Sequence, residues 1–212
     1  MSEATATLLA YHGDEAIRQG YLARVRQHRL ADELVQGYGY WEDGKGGGVG
    51  CTIHSGEHAS YETEIGVPVR LAYLEDAIFE GLSPEEALTW PERFLAAIVP
   101  GADLSRVWNQ FSHWLLTDSN LLTITDDNRA AIAIVAALHA RAAAGEAVAD
   151  SEWSAAESAA WSAAWAGRSA AAWAAWAARA AAAESAADYS RMAAKLLELL
   201  AAAPVNRRKG KA

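Results

Sequence analysis

The chain has 212 residues and carries 27 acidic against 18 basic side chains, a net charge of −9 that weighs against a nucleic-acid binder dominated by phosphate contacts. Its 52 % hydrophobic content overstates the core, because fifty of those residues are alanine, and nine tryptophans with the larger aliphatics must supply the burial. No apolar run approaches the roughly 18 residues of a membrane span, the start lacks the basic and apolar regions of an export signal, and the single Cys51 excludes an intramolecular disulfide. A cytoplasmic protein without membrane contact is expected.

From Asp14 to Gln36, Ile17, Tyr21, Val25, His28, Asp32 and Val35 recur at three- and four-residue steps, which predicts an amphipathic helix ending at Gly37. Gly37 to Gly50 holds seven glycines among Tyr38, Tyr40, Trp41, Glu42, Asp43 and Lys45, and reads as an aromatic-flanked loop. Glu57 to Ile65 is a short helix stopped by Gly66. Pro68 opens another, with Leu71, Leu74, Ile78 and Leu82 on one face and Gly81 as its stop. Ser83-Pro84-Glu85-Glu86 is a capping box, and Pro91 kinks or restarts the helix behind it. Asp103 opens a helix bearing Val107, Trp108, Phe111 and Trp114. Asp118 to Thr125 is a polar connection, and Asp126 to Ala144 is helical again, ending at Gly145.

Beyond Gly145 the composition changes. Ser151 to Ala203 is dominated by alanine with tryptophan at 153, 161, 165, 173 and 176, strongly helical by propensity, with Gly167 as a candidate break. Strand signals are scarce. The expectation is an all-α multi-helix bundle: a helical domain over 1–145 with its Gly-rich loop at 37–56, an Ala/Ser/Trp-rich helical segment over 146–203 packing on it, and a disordered basic tail over 204–212.

Most of the reactive side chains crowd into Trp41 to Tyr61. The glycine run matches neither a phosphate-binding P-loop nor a dinucleotide fingerprint. It can present backbone N–H groups of Gly46, Gly48 and Gly50 as an anion-binding nest beside Thr52, with Lys45 adding charge and Tyr40 or Trp41 stacking on a planar ligand. The alternative is that the glycines allow a tight crossing over a packed neighbour. Cys51 and His54 suggest a nucleophile and its base, against the ordinary reading of Cys51 as an inert buried residue. Cys51, His54 and His58 have ligand-like spacing, and His12 could complete a metal set, although a regular helix would spread them too far along its axis. His28 reads as a satisfied core histidine. Glu75 and Asp76 stand out among the acids because Leu74 and Ile78 pull their turn toward the core.

Tyr11-His12-Gly13, Tyr21-Leu22-Ala23-Arg24-Val25, Ala31-Asp32-Glu33-Leu34, the Gly-Lys-Gly run into Val49-Gly50-Cys51-Thr52-Ile53-His54, and Leu74-Glu75-Asp76-Ala77-Ile78-Phe79-Glu80-Gly81-Leu82 together resemble a family of uncharacterised bacterial and phage or prophage proteins. The likeness covers about residues 11 to 116 and brings no established activity. Relatives often read Lys-Gly-Cys-x-Val-Gly-Cys, and Gly47 stands here at the first cysteine's place, so the resemblance implies no two-cysteine metal or redox role. It implies an intracellular, mobile-element setting. Two functional readings follow: a polar pocket at the Gly-rich loop for an anionic, nucleotide-like small molecule, as a binder or an enzyme, with no cofactor identified; or a helical interaction or inhibitor protein that meets a second copy or a host protein through its Trp/Ala helix. Nucleic acid is the weakest partner.

Overall fold

A computed structural model of the chain describes residues 8–38, 41–117, 126–156 and 186–206. Among the described residues the chain is helical without a strand, and the extended pairing is confined to isolated backbone bridges. No described helix is long and apolar enough to cross a membrane. Two compact units are present, one from Met1–Ser105 with Tyr189–Ala212, the other from Arg106–Asp188. The domain boundary expected at Gly145 thus falls inside the second unit. Tyr40, Asp118 to Thr125, Trp161, Trp165, Gly167, Trp173, Trp176 and the tail after Asn206 lie outside the described residues.

In the first unit a single 3-10 turn, Ala10–Gly13, precedes α1 (Glu15–Leu30), whose start is capped by Asp14 accepting from the Ala16 N–H at 2.7 Å. Helix α1 stops well short of the expected Gly37. Asp32 adopts φ +55°, the Glu33 N–H returns to the His28 carbonyl, and Leu34 pairs with Gly46 in a parallel bridge. The apolar periodicity continued past Leu30, but the chain there turns to bond the glycine run. That long-range pairing outcompetes the local pattern.

The second departure is α2 (Gly48–Ile53), a six-residue helix formed by the end of the supposed loop. Every residue in it is buried, and it packs against α1, α3 (Ser60–Ile65), α4 (Val69–Gly81) and α6 (Trp90–Ala97). Glycine is a poor helix former, so packing decides here. A Cβ on Gly48 would come 2.5 Å from Glu75 Oε1 and 3.0 Å from Pro91 Cγ, so the helix can sit this close to α4 and α6 only without one.

The other expected elements are present with later starts in two cases: the helix expected from Glu57 begins at Ser60, and the one expected from Asp103 begins at Val107. Gly66 ends α3 in the left-handed region at φ +63°, Pro68 precedes α4, and Ser83 caps α5 (Pro84–Ala87) by accepting from the Glu86 N–H. Pro91 lies in the first turn of a new helix, α6. The core gathers Val25, Tyr61, Ile65, Leu71, Ile78, Phe79, Trp90, Phe94 and Leu95, with Tyr11 donating its hydroxyl to the Leu95 carbonyl at 2.7 Å.

The second unit is built on α7 (Val107–Thr117) packed against α8 (Asp126–Ala144). Gly145 ends α8 at φ +91°, with the Arg106 guanidinium over its Cα. Arg141 then ties Glu146 and Glu152 at 2.5 and 2.6 Å. Returning to the first unit from Tyr189 onward, α9 (Ala186–Ala201) buries Ala193, Leu196 and Leu200; the Asp103 and Asn206 N–H groups bond the Pro204 and Gly101 carbonyls, so residues 204–206 of the tail expected to be disordered are held in place.

Candidate functional site

The two ends of α2 carry the polar groups of interest. At its C-terminal end, His54 stands in the left-handed region at φ +54° and ψ +37°, an uncommon position for a residue with a Cβ. Its Nε2 lies 2.8 Å from His28 Nε2, and His28 Nδ1 lies 2.6 Å from Glu33 Oε2. A carboxylate only accepts, so His28 Nδ1 carries a proton toward Glu33. In the neutral pair His28 Nε2 is therefore the acceptor and His54 Nε2–H the donor. Trp41 lies parallel to the His54 ring at a centroid separation of 4.4 Å and meets His28 edge-on at 5.3 Å.

Exposure divides this chain of groups. His28 is 9 % exposed, Glu33 is half-buried, and His54 faces solvent. Loss of water around the His54 ring holds its pKa below the ordinary imidazole value, and the nearby charges of Arg24 and His28 push the same way. Arg24 donates to the Thr52 carbonyl at 2.8 Å and lies over the Tyr21 ring, whose hydroxyl donates to Glu64 at 2.6 Å. The arrangement offers an exposed, neutral imidazole backed by a second imidazole and a carboxylate, with an arginine close enough to be felt.

At the N-terminal end of α2, carboxylates of α4 pack on the glycines. Glu75 is fully buried, with Oε1 aimed at Gly48 and lacking a hydrogen-bond partner, and Oε2 accepting a long 3.5 Å bond from the Tyr61 hydroxyl. Glu80 Oε1 and Asp76 Oδ1 come within 3.6 and 3.7 Å of the place a Gly47 Cβ would take. Burial pushes all three carboxyls above the usual range, most strongly Glu75; the Asp76 charge reinforces the shifts of Glu75 and Glu80, and His58 beside Asp76 opposes that residue's own. Burial favours the neutral acid at Glu75.

This geometry revises several expectations. Gly46, Gly48 and Gly50 are buried, the Gly46 N–H is spent on the Glu33 carbonyl, and carboxylates surround the run, so no outward anion-binding nest is formed there. Thr52 is buried and donates to the Gly48 carbonyl. A shallow groove does exist, but along α1, lined by Ala23, Arg26, Gln27, Leu30 and Ala31. Lys45 is exposed in a turn that its backbone closes with Glu42. Cys51 is fully buried, its thiol directed at the Gly46 and Glu33 carbonyls and pushed up to about 12 by burial, so it is not the thiolate a nucleophile requires. The metal candidates go separate ways: His12 bonds the Thr63 carbonyl, His54 meets His28, and His58 stacks on Tyr73 beside Asp76. Among the described residues no group of three or more histidines, cysteines or carboxylates is placed to hold an ion.

Of the residues singled out in the sequence, the structure brings Trp41 and His54 together. It adds His28 and Glu33, and no local spacing announced that pair. The available signal was a histidine on the buried stripe of α1 followed closely by an acid at the helix end. Compared with family models, with curated proteins and with solved structures, the chain matches none.

Proposed function

We propose that the face carrying His54, Trp41 and Arg24 binds a small planar anion and exchanges a proton with it. The observation that carries this reading is the Glu33–His28–His54 chain of hydrogen bonds ending in a solvent-facing imidazole. His54 differs from a core-filling histidine in that its ring is exposed while its Nε2 is held by a buried partner, at a left-handed backbone position. Arg24 supplies positive charge beside the ring and Trp41 supplies an aromatic platform. His54, kept neutral at physiological pH, is the base, while His28 and Glu33 stabilise the charge it acquires. The resemblance noted in the sequence adds a setting to this reading, that of an accessory protein of mobile elements.

The test is thermal denaturation of the full chain at pH 7.5 against a panel of aromatic phosphates and carboxylates, nucleoside monophosphates included. A rise in midpoint with at least one compound, lost in both His54→Ala and Trp41→Ala, is expected. A flat response across the panel overturns the reading.

A further inference from the structure

The same two imidazoles invite a different occupant. We propose that His28 Nε2 and His54 Nε2 form a two-coordinate site for a single soft monovalent ion, copper(I), taken up in place of the hydrogen bond they share. Three observations carry it. The two Nε2 atoms face each other at 2.8 Å, so both lone-pair directions converge on one point. His28 is already oriented as metal-binding histidines are, its other nitrogen donating to the Glu33 carboxylate at 2.6 Å. The facing pair of nitrogens fixes the kind of ion the site suits: copper(I) takes two ligands in a line, whereas zinc prefers four, and among the described residues no third histidine, cysteine or carboxylate completes a set.

The geometry has to open modestly. Metal–imidazole bonds of about 2 Å place the nitrogens about 4 Å apart, so the pair must separate by roughly 1 Å. His54, exposed at the end of α2 and stacked on Trp41, is the ring that shifts, whereas His28 is buried and held by Glu33. Two nitrogen–copper bonds form and one N–H···N bond breaks. His54 surrenders its proton from Nε2 to water and recovers one at Nδ1, so a neutral pair binds the ion without net proton release and without any change of oxidation state.

The inference shares side chains with the proposed function but not its ligand, so the two fail separately: a flat response to anions leaves the copper site standing, and absence of copper binding leaves the anion response untouched. The experiment is anaerobic competition of the full chain with bicinchoninate for copper(I), combined with 15N spectra of the histidine rings. The expected result is one equivalent retained by the natural chain and by Cys51→Ser, with shifts at the Nε2 atoms of His28 and His54. Affinity falls at least about 100-fold in His54→Gln, and about 10-fold in Glu33→Gln, which leaves both ligands in place but loosens His28. The His54 variant lies at an exposed position and is checked for folding by circular dichroism. Failure to retain copper(I), retention undiminished in His54→Gln, loss in Cys51→Ser, or equal retention of zinc each overturns the assignment.

Discussion

The two ends of α2 present opposite chemistry in opposite protonation states, and neither state is the one its helix would favour. The partial positive charge of a helix N-terminus stabilises carboxylates, yet Glu75, Asp76 and Glu80 beside Gly47 and Gly48 all have raised pKa values. The C-terminal end favours an imidazolium, yet His54 has a lowered one. Burial outweighs the dipole at the acid end, and at the His54 end partial loss of water together with the charges of Arg24 and His28 does so. A dipole contributes about 0.3–1 kcal/mol at a helix end, and a six-residue helix has little of it, whereas removing water from an ionised group costs several times more. The difference between the ends is access: the acid is sealed under a glycine run, and the base faces solvent. One end is therefore a packing device and the other a solvent-facing pair of imidazoles.

The sharpest way to break that contrast is Gly48→Ala. A methyl group there meets the Glu75 carboxyl and Pro91, and the cost expected is about 2–3 kcal/mol, read as a lower urea midpoint with an unchanged slope. Gly47→Ala next door meets atoms no closer than 3.6 Å at an ordinary φ of −69°, and should cost less than about 1 kcal/mol. Equal effects would mean that close approach to α4 is not what the glycines serve.

His28→Ala comes next. It removes the acceptor of His54 and the donor to Glu33 from a largely buried position, with an expected loss of about 1–2 kcal/mol in the same urea assay. His54→Ala, at the exposed end, should cost under about 0.5 kcal/mol. If the two cost the same, the buried and exposed members of the relay are not distinct.

How far all this was legible depended on the range of the interactions involved. The Ser83 capping box, the Gly66 stop and the Asp126 to Ala144 helix are local signals, and each appears where its residues placed it. The apolar neighbours Leu74 and Ile78 marked the Glu75–Asp76 turn as drawn toward the core, and of the two it is Glu75 that is buried. The early end of α1 was not readable, because it depends on Leu34 meeting Gly46 across the chain. Nor was α2, whose glycines argue against a helix until the carboxyl and proline that need the space are in view. The His28–His54 pair joins residues 26 apart on different helices, and no spacing rule reaches that far.

Glu75→Gln tests the sealed end through pH. The folded-state pKa of Glu75 lies above its unfolded value, so the folded chain holds the extra proton between the two, and its stability falls as pH rises from the ordinary carboxylate range toward the folded pKa. Asp76 and Glu80 add smaller effects of the same sign. The substituted amide cannot ionise, so the variant should gain on the natural protein as pH rises above the ordinary carboxylate range. Parallel curves would show that Glu75 ionises without cost and is not sealed.

The smallest effect, and the one that bears most directly on function, is expected from His54→Gly. Glycine adopts φ +54° freely, so the substitution relieves the left-handed strain and should raise stability by up to about 1 kcal/mol at pH 7.5. At lower pH a second gain appears. The lowered pKa of His54 means the unfolded chain takes up its proton first, so the natural protein loses stability as pH falls from about 6.5 toward the folded pKa, and the glycine variant does not. A position where a smaller residue is more stable at every pH, yet where a histidine stands bonded to a second histidine, is one held for what the side chain does. If His54→Gly is instead destabilised at pH 7.5, the imidazole pair contributes more to folding than its strain costs, and His54 joins Glu75 as part of the packing rather than as the site.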